Sequence, residues 1–68
     1  MPDTVYKKIQ LVGTSTKSFS DAAANAVAKA VQTEKNLSWF EVVEQRGHIA
    51  EGKIQQFQVT LNLGARLD

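Results

Sequence analysis

The residues that could do chemistry gather in Trp39-Phe40-Glu41-Val42-Val43-Glu44-Gln45-Arg46-Gly47-His48. The stretch reads as a strand, whose successive side chains face opposite ways. Phe40, Val42, Glu44, Arg46 and His48 then share one face, and Trp39, Glu41, Val43 and Gln45 share the other. With Phe40 and Val42 in the core, the chain's single tryptophan points away from it, among polar neighbours. An indole offers a stacking surface, and a glutamine amide offers both a donor and an acceptor. Gln56, Gln58, Thr60 and Asn62, alternating on a later strand, extend the same face. Such a set suits a flat heteroaromatic ligand with a polar edge. A subunit contact over Trp39, with the glutamines merely solvated, explains the same residues equally well.

Catalysis has less support. His48 stands alone, with no evident nucleophile beside it. On simple alternation Glu41 and Glu44 face opposite ways and form no carboxylate pair. Arg46 and Arg66 could hold an anion, since a guanidinium grips phosphate in bidentate fashion, although surface ion pairing would occupy them as well. No catalytic residue is assigned, and the chain does not read as an enzyme.

The elements that must position these residues follow in the order β-α-β-β. Val5 to Val12 alternates as a first strand, with Val5, Ile9 and Leu11 on one face and Tyr6, Lys8 and Gln10 on the other. Lys7 interrupts the apolar face, as at an edge. Gly13 to Ser18 is a polar connection without the glycine spacing of a phosphate loop. Ser18 with Asp21 three positions on predicts a helix start. Phe19, Ala22, Ala23, Ala26, Val27, Ala30 and Val31 then form one apolar stripe, and the helix is expected to end around Lys35-Asn36. The Trp39 strand follows, then a turn around Ala50-Glu51-Gly52. Gln55 to Leu63 shows the clearest alternation, with Phe57, Val59, Leu61 and Leu63 on one face. A right-handed crossover makes the first two strands parallel, and the third fits between them. The fold class is α+β: a three-stranded antiparallel sheet of order 1-3-2, packed on one helix and open on its other face.

Sixty-eight residues form a single domain, 1–68, and a small one. A chain of this size buries only roughly 60% of its unfolded surface, so it needs a staple. There is no cysteine and one histidine, which leaves self-association rather than disulfides or zinc. A net charge of +1 is too weak for nucleic acid. No apolar run approaches the ~20 residues of a membrane span. Met1-Pro2-Asp3 lacks a signal-peptide layout, and the expected address is the cytoplasm.

Val5-Tyr6-Lys7, Val12-Gly13-Thr14-Ser15, Trp39-Phe40-Glu41-Val42, Arg46-Gly47-His48 and Phe57-Gln58-Val59-Thr60-Leu61 occur in the order and spacing of the dodecins. The chain resembles this family of small flavin-binding proteins, in its bacterial type, from Val5 to Leu67. The resemblance implies a hollow homododecamer that holds flavins in pairs near two-fold axes, enclosed by symmetry-related tryptophans. Trp39 would stack on the ring, and Gln58 would meet its pyrimidine edge. Arg46 and Arg66 match arginines near a phosphate, which favours flavin mononucleotide over riboflavin. Tyr6 and Lys29 lie where some members contact coenzyme A. The implied role is flavin storage, with the bound ring quenched and protected.

Two positions depart from the family pattern. Ser38 replaces a common aspartate before the tryptophan, beside the ring. Ala65 stands where phenylalanine is usual, and a lost ring at an assembly contact would weaken the dodecamer.

Overall fold

The computed structural model describes residues 3–67. Strand β1 is Val5–Ser15, helix α1 is Phe19–Ala30, strand β2 is Leu37–Ala50 and strand β3 is Lys53–Leu67. The three strands form one antiparallel sheet in the order β1-β3-β2, as the crossover argument requires.

Ser18 caps α1 as its hydroxyl predicts, accepting from the backbone N–H of Asp21 at 2.9 Å. The Asp21 carboxylate turns instead to the end of β1, where it accepts from the Ser15 hydroxyl at 2.6 Å. The helix start is thereby tied to the strand before it. Gly13 allows the close approach that follows, because a Cβ there would overlap the Ala22 carbonyl oxygen and stand 2.8 Å from the Ala26 Cβ. Ala22, Ala26 and Ala30 press onto Val59, Leu61 and Leu63 of β3 to form the core. Leu11, Ala23, Val27 and Leu37 pack around it. Small helix side chains and branched strand side chains fill the space together.

The polar loop is shorter than its composition suggests, since β1 runs on to Ser15 and pairs with Phe57. The helix also ends earlier than expected, at Ala30 rather than near Lys35-Asn36. Val31 to Glu34 continue as a turn closed by bonds to the carbonyls of Val27, Lys29 and Ala30. Asn36 does adopt the left-handed conformation (φ 62°), but it serves the start of β2 instead of the helix end. The β2–β3 hairpin turns on Glu51 (φ 54°) and Gly52 (φ 74°), the paired positive values of a two-residue hairpin turn.

Helix α1 lies over β1 and β3 and leaves the inner face of β2 largely uncovered. Phe40 and Val42 remain 52% and 48% exposed there, beside a groove of about 790 Å³ whose opposite wall is Phe19, Ala23, Val27 and Val31.

Candidate ligand-binding face

A β-bulge decides which residues reach the open face of the sheet. Glu41 is opposite Asn62 and Val42 is opposite Leu61, but Glu44 is opposite Thr60, so Val43 is an extra residue. One extra residue reverses the facing of everything after it. Gln45 therefore lies opposite the buried Val59 and lines the helix-side groove. Glu44, Arg46 and His48 come to the open face opposite Thr60, Gln58 and Gln56. The simple alternation across residues 39–48 is corrected on this point. Trp39 and Glu41 stay on the open face, Gln45 leaves it, and Glu41 and Glu44 share it.

The open face consists of successive ranks across the three strands. Tyr6 faces Arg66; then come Trp39, Gly64 and Lys8; then Glu41, Asn62 and Gln10. Glu44, Thr60 and Val12 follow, and then Arg46, Gln58 and Thr14. The indole of Trp39 crosses onto β3 over Gly64, where a Cβ would stand inside the ring. It meets Tyr6 edge-on, with ring centroids 5.7 Å apart and planes at 60°. Trp39 stays 39% exposed, so aromatic surface remains for a partner.

Beside the indole a side-chain ladder runs across all three strands. Gln10 Nε2 donates to Asn62 Oδ1 at 3.2 Å, and Asn62 Nδ2 donates to Glu41 Oε2 at 3.2 Å. Lys8 Nζ lies 2.9 Å from that same oxygen. The Lys8 ammonium, donating to the carboxylate, is the first cause holding the Glu41 pKa below its ordinary value, and the Asn62 amide is the second. Sequence alternation places Lys8, Gln10, Asn62 and Glu41 on one face, but the ladder depends on cross-strand register that only the fold supplies.

The other predicted site residues are dispersed. Gln58 Nε2 donates to Gln56 Oε1 at 3.1 Å. Arg46, opposite Gln58, lies 3.3 Å from the Glu44 carboxylate. Arg66 stands opposite Tyr6 on the edge strand, and its backbone N–H donates to Asn36 O at 2.9 Å. The Ser38 hydroxyl donates to the Asn36 carbonyl at 3.4 Å, at a second bulge between Leu37 and Trp39. Lys29 is exposed on α1, on the helix side of the sheet, whereas Tyr6 lies on the open face of β1. Ala65 is buried opposite Lys7 and Leu37, within the chain's own helix-side layer. Among the described residues, no three histidine, cysteine or carboxylate side chains gather as metal ligands, and no helix is long and apolar enough to cross a membrane.

Fold and face together define a small β-α-β-β domain with one sheet face on a helix and the other presenting an aromatic ring among amides and charges. Residues 5–68 match the model of the family described as Dodecin. The chain is 47% identical over 64 residues to the dodecin of Thermus thermophilus, covering 94% of this chain and 93% of that one. The solved structure of dodecin from Streptomyces coelicolor superposes with a TM-score of 0.93 at 43% identity, covering 100% of this chain and 97% of the other. A T. thermophilus dodecin with a tryptophan-to-phenylalanine replacement superposes with a TM-score of 0.91 at 44% identity, covering 97% and 98%. The chain belongs to the dodecin family.

Proposed function

We propose that this protein binds flavin, in the form of flavin mononucleotide, in pairs between copies of itself and stores it in a quenched state within a homododecamer. The observation that carries this reading is the Trp39 indole, held on the open face by Gly64 and Tyr6 while part of its surface stays exposed. The face around it fits an isoalloxazine with a phosphorylated tail. The indole offers a stacking plane, Gln58 an amide for a polar edge, and Arg46 and Arg66 guanidinium groups for an anion.

The spacing supports a site shared between copies. Trp39 lies opposite Gly64, and Gln58 is six residues further along β3, about 20 Å away at ordinary strand rise. One tricyclic ring cannot stack on the first and bond the second within a single chain. A two-fold contact between open faces would bring Trp39 of one copy and Gln58 of another to the same ring. A coenzyme A would meet Tyr6 on the open face and Lys29 on the helix side.

A bound flavin would supply an absorbing ring whose excited state an indole in contact can quench by donating an electron. The chain's part is to hold that indole in place and to fix the ring's edge and phosphate. This is storage and protection, with no substrate turned over.

The test is a titration of flavin mononucleotide fluorescence with ligand-free protein, alongside light scattering on the eluting particle. Quenching that saturates near one flavin per chain on a twelve-subunit particle is the expected result, and Trp39→Ala should restore emission and weaken binding. Unquenched emission on an intact dodecamer would leave the protein an assembly module without a flavin role.

A further inference from the structure

The geometry points to Glu41 as a specificity-determining residue of the flavin site, accepting a hydrogen bond from an N–H or O–H donor of the flavin stacked on Trp39. The inference rests on the flavin reading above. Glu41 occupies the rank next to Trp39 on the same open face, opposite Asn62. Its Oε2 is engaged by both Lys8 and Asn62, while its Oε1 accepts no hydrogen bond among the described residues. Roughly half of the side chain is exposed.

Lys8 and Asn62 do two things for this carboxylate. They fix its rotamer, because two donors from two different strands converge on one oxygen. They also hold it ionised, so the second oxygen is a charged acceptor whose hydrogen bonds are roughly twice as strong as neutral ones. Gln10 extends the fixing outward by donating to the Asn62 oxygen, which orients the Asn62 amide with its nitrogen toward Glu41. The arrangement preorganises an acceptor before any ligand arrives, and preorganisation lowers the cost of binding.

Two donors of a flavin carry the required chemistry, the N3–H of the ring and the hydroxyls of the ribityl chain, and three probes separate them. Riboflavin has both, lumiflavin has only the ring N–H, and N3-methyl lumiflavin has neither. Their dissociation constants would be measured by quenching titration on the assembled wild-type protein, on Glu41→Gln and on Glu41→Asp, with light scattering to identify variants that assemble. Glu41→Asp keeps the charge but withdraws it by one methylene, so either assembled variant decides the matter.

The expected result is a roughly tenfold weaker affinity for riboflavin, the scale of one hydrogen bond to a charged group, with N3-methyl lumiflavin unaffected. An equal loss for lumiflavin assigns the donor to the ring, and an unchanged lumiflavin affinity assigns it to the ribityl chain. Unchanged affinity for all three probes, or the same loss for all three, overturns the proposal. Failure of the wild-type protein to quench any of them would instead remove the flavin reading on which it rests.

Discussion

Trp39 and Gly64 stand directly opposite each other on β2 and β3, and the indole occupies the space that a side chain at 64 would need. Gly64 keeps an ordinary backbone conformation, with φ outside the left-handed region. Its lack of a Cβ therefore serves the tryptophan ring and not the chain path. Gly64→Ala should leave the sheet intact and push the indole off its seat. The expected outcome is altered Trp39 emission and weaker flavin quenching with an unchanged circular dichroism spectrum. Unaltered emission and quenching would show that the ring is held elsewhere.

Gly13 makes the corresponding contact on the other side of the sheet, against backbone that cannot move aside cheaply. Gly13→Ala should force α1 away from β1 and cost about 1–3 kcal/mol, as overpacked cores do. Denaturant midpoints compared at fixed protein concentration would measure it, since assembly makes stability depend on concentration.

Ser18→Ala removes the acceptor for the Asp21 backbone N–H and should cost about 1 kcal/mol. A midpoint equal to that of the wild type would mean that the Ser15–Asp21 bond alone secures the helix start.

The Lys8–Glu41 contact sets a pH dependence whose sign is fixed by the direction of the shift. The folded pKa of Glu41 is lowered, so the contribution is complete above the ordinary glutamate value and is lost as pH falls through the lowered one. Acid titration of wild type and Lys8→Met should show the variant's Glu41 carboxyl titrating at higher pH, read by NMR at the side-chain carbon. Coincident titration curves would contradict the assignment of Lys8 as the leading cause.

Ala65 is enclosed by its own chain, between Lys7 and Leu37, and is 2% exposed. Placing there the ring that the family resemblance implies, by Ala65→Phe, should overpack this layer and cost about 1–3 kcal/mol, without enlarging the assembled particle. A gain in stability or particle size would place the ring in a contact between copies.

Much of the architecture was legible because its signals are local. The Ser18 cap, the alanine stripe and the alternation of Phe57 to Leu63 each follow from neighbouring residues, and the sheet order follows from crossover handedness. The facing of Glu44, Gln45, Arg46 and His48 was not legible, because a bulge at Val43 shows itself only in the pairing with Leu61 and Thr60. The helix end was misplaced for a related reason. Val31 continues the apolar stripe in sequence, yet the chain must already be turning there to begin β2 at Leu37. Trp39 was placed on the open face correctly since it precedes the bulge at Val43. Its contacts with Gly64 and Tyr6 lie beyond any sequence pattern.

The helix spans two strands of three, and this has a consequence for how the chain lives at low abundance. A solitary copy leaves about half of Phe40, Val42 and Val31 in water, and that exposed apolar surface adds nothing to its stability. Whatever covers that groove supplies folding free energy as well as contact, so folding and partnering become one equilibrium. Newly made chains would then pass through a dilute interval in which they are most open to proteolysis and misassociation. The interval closes as their number rises.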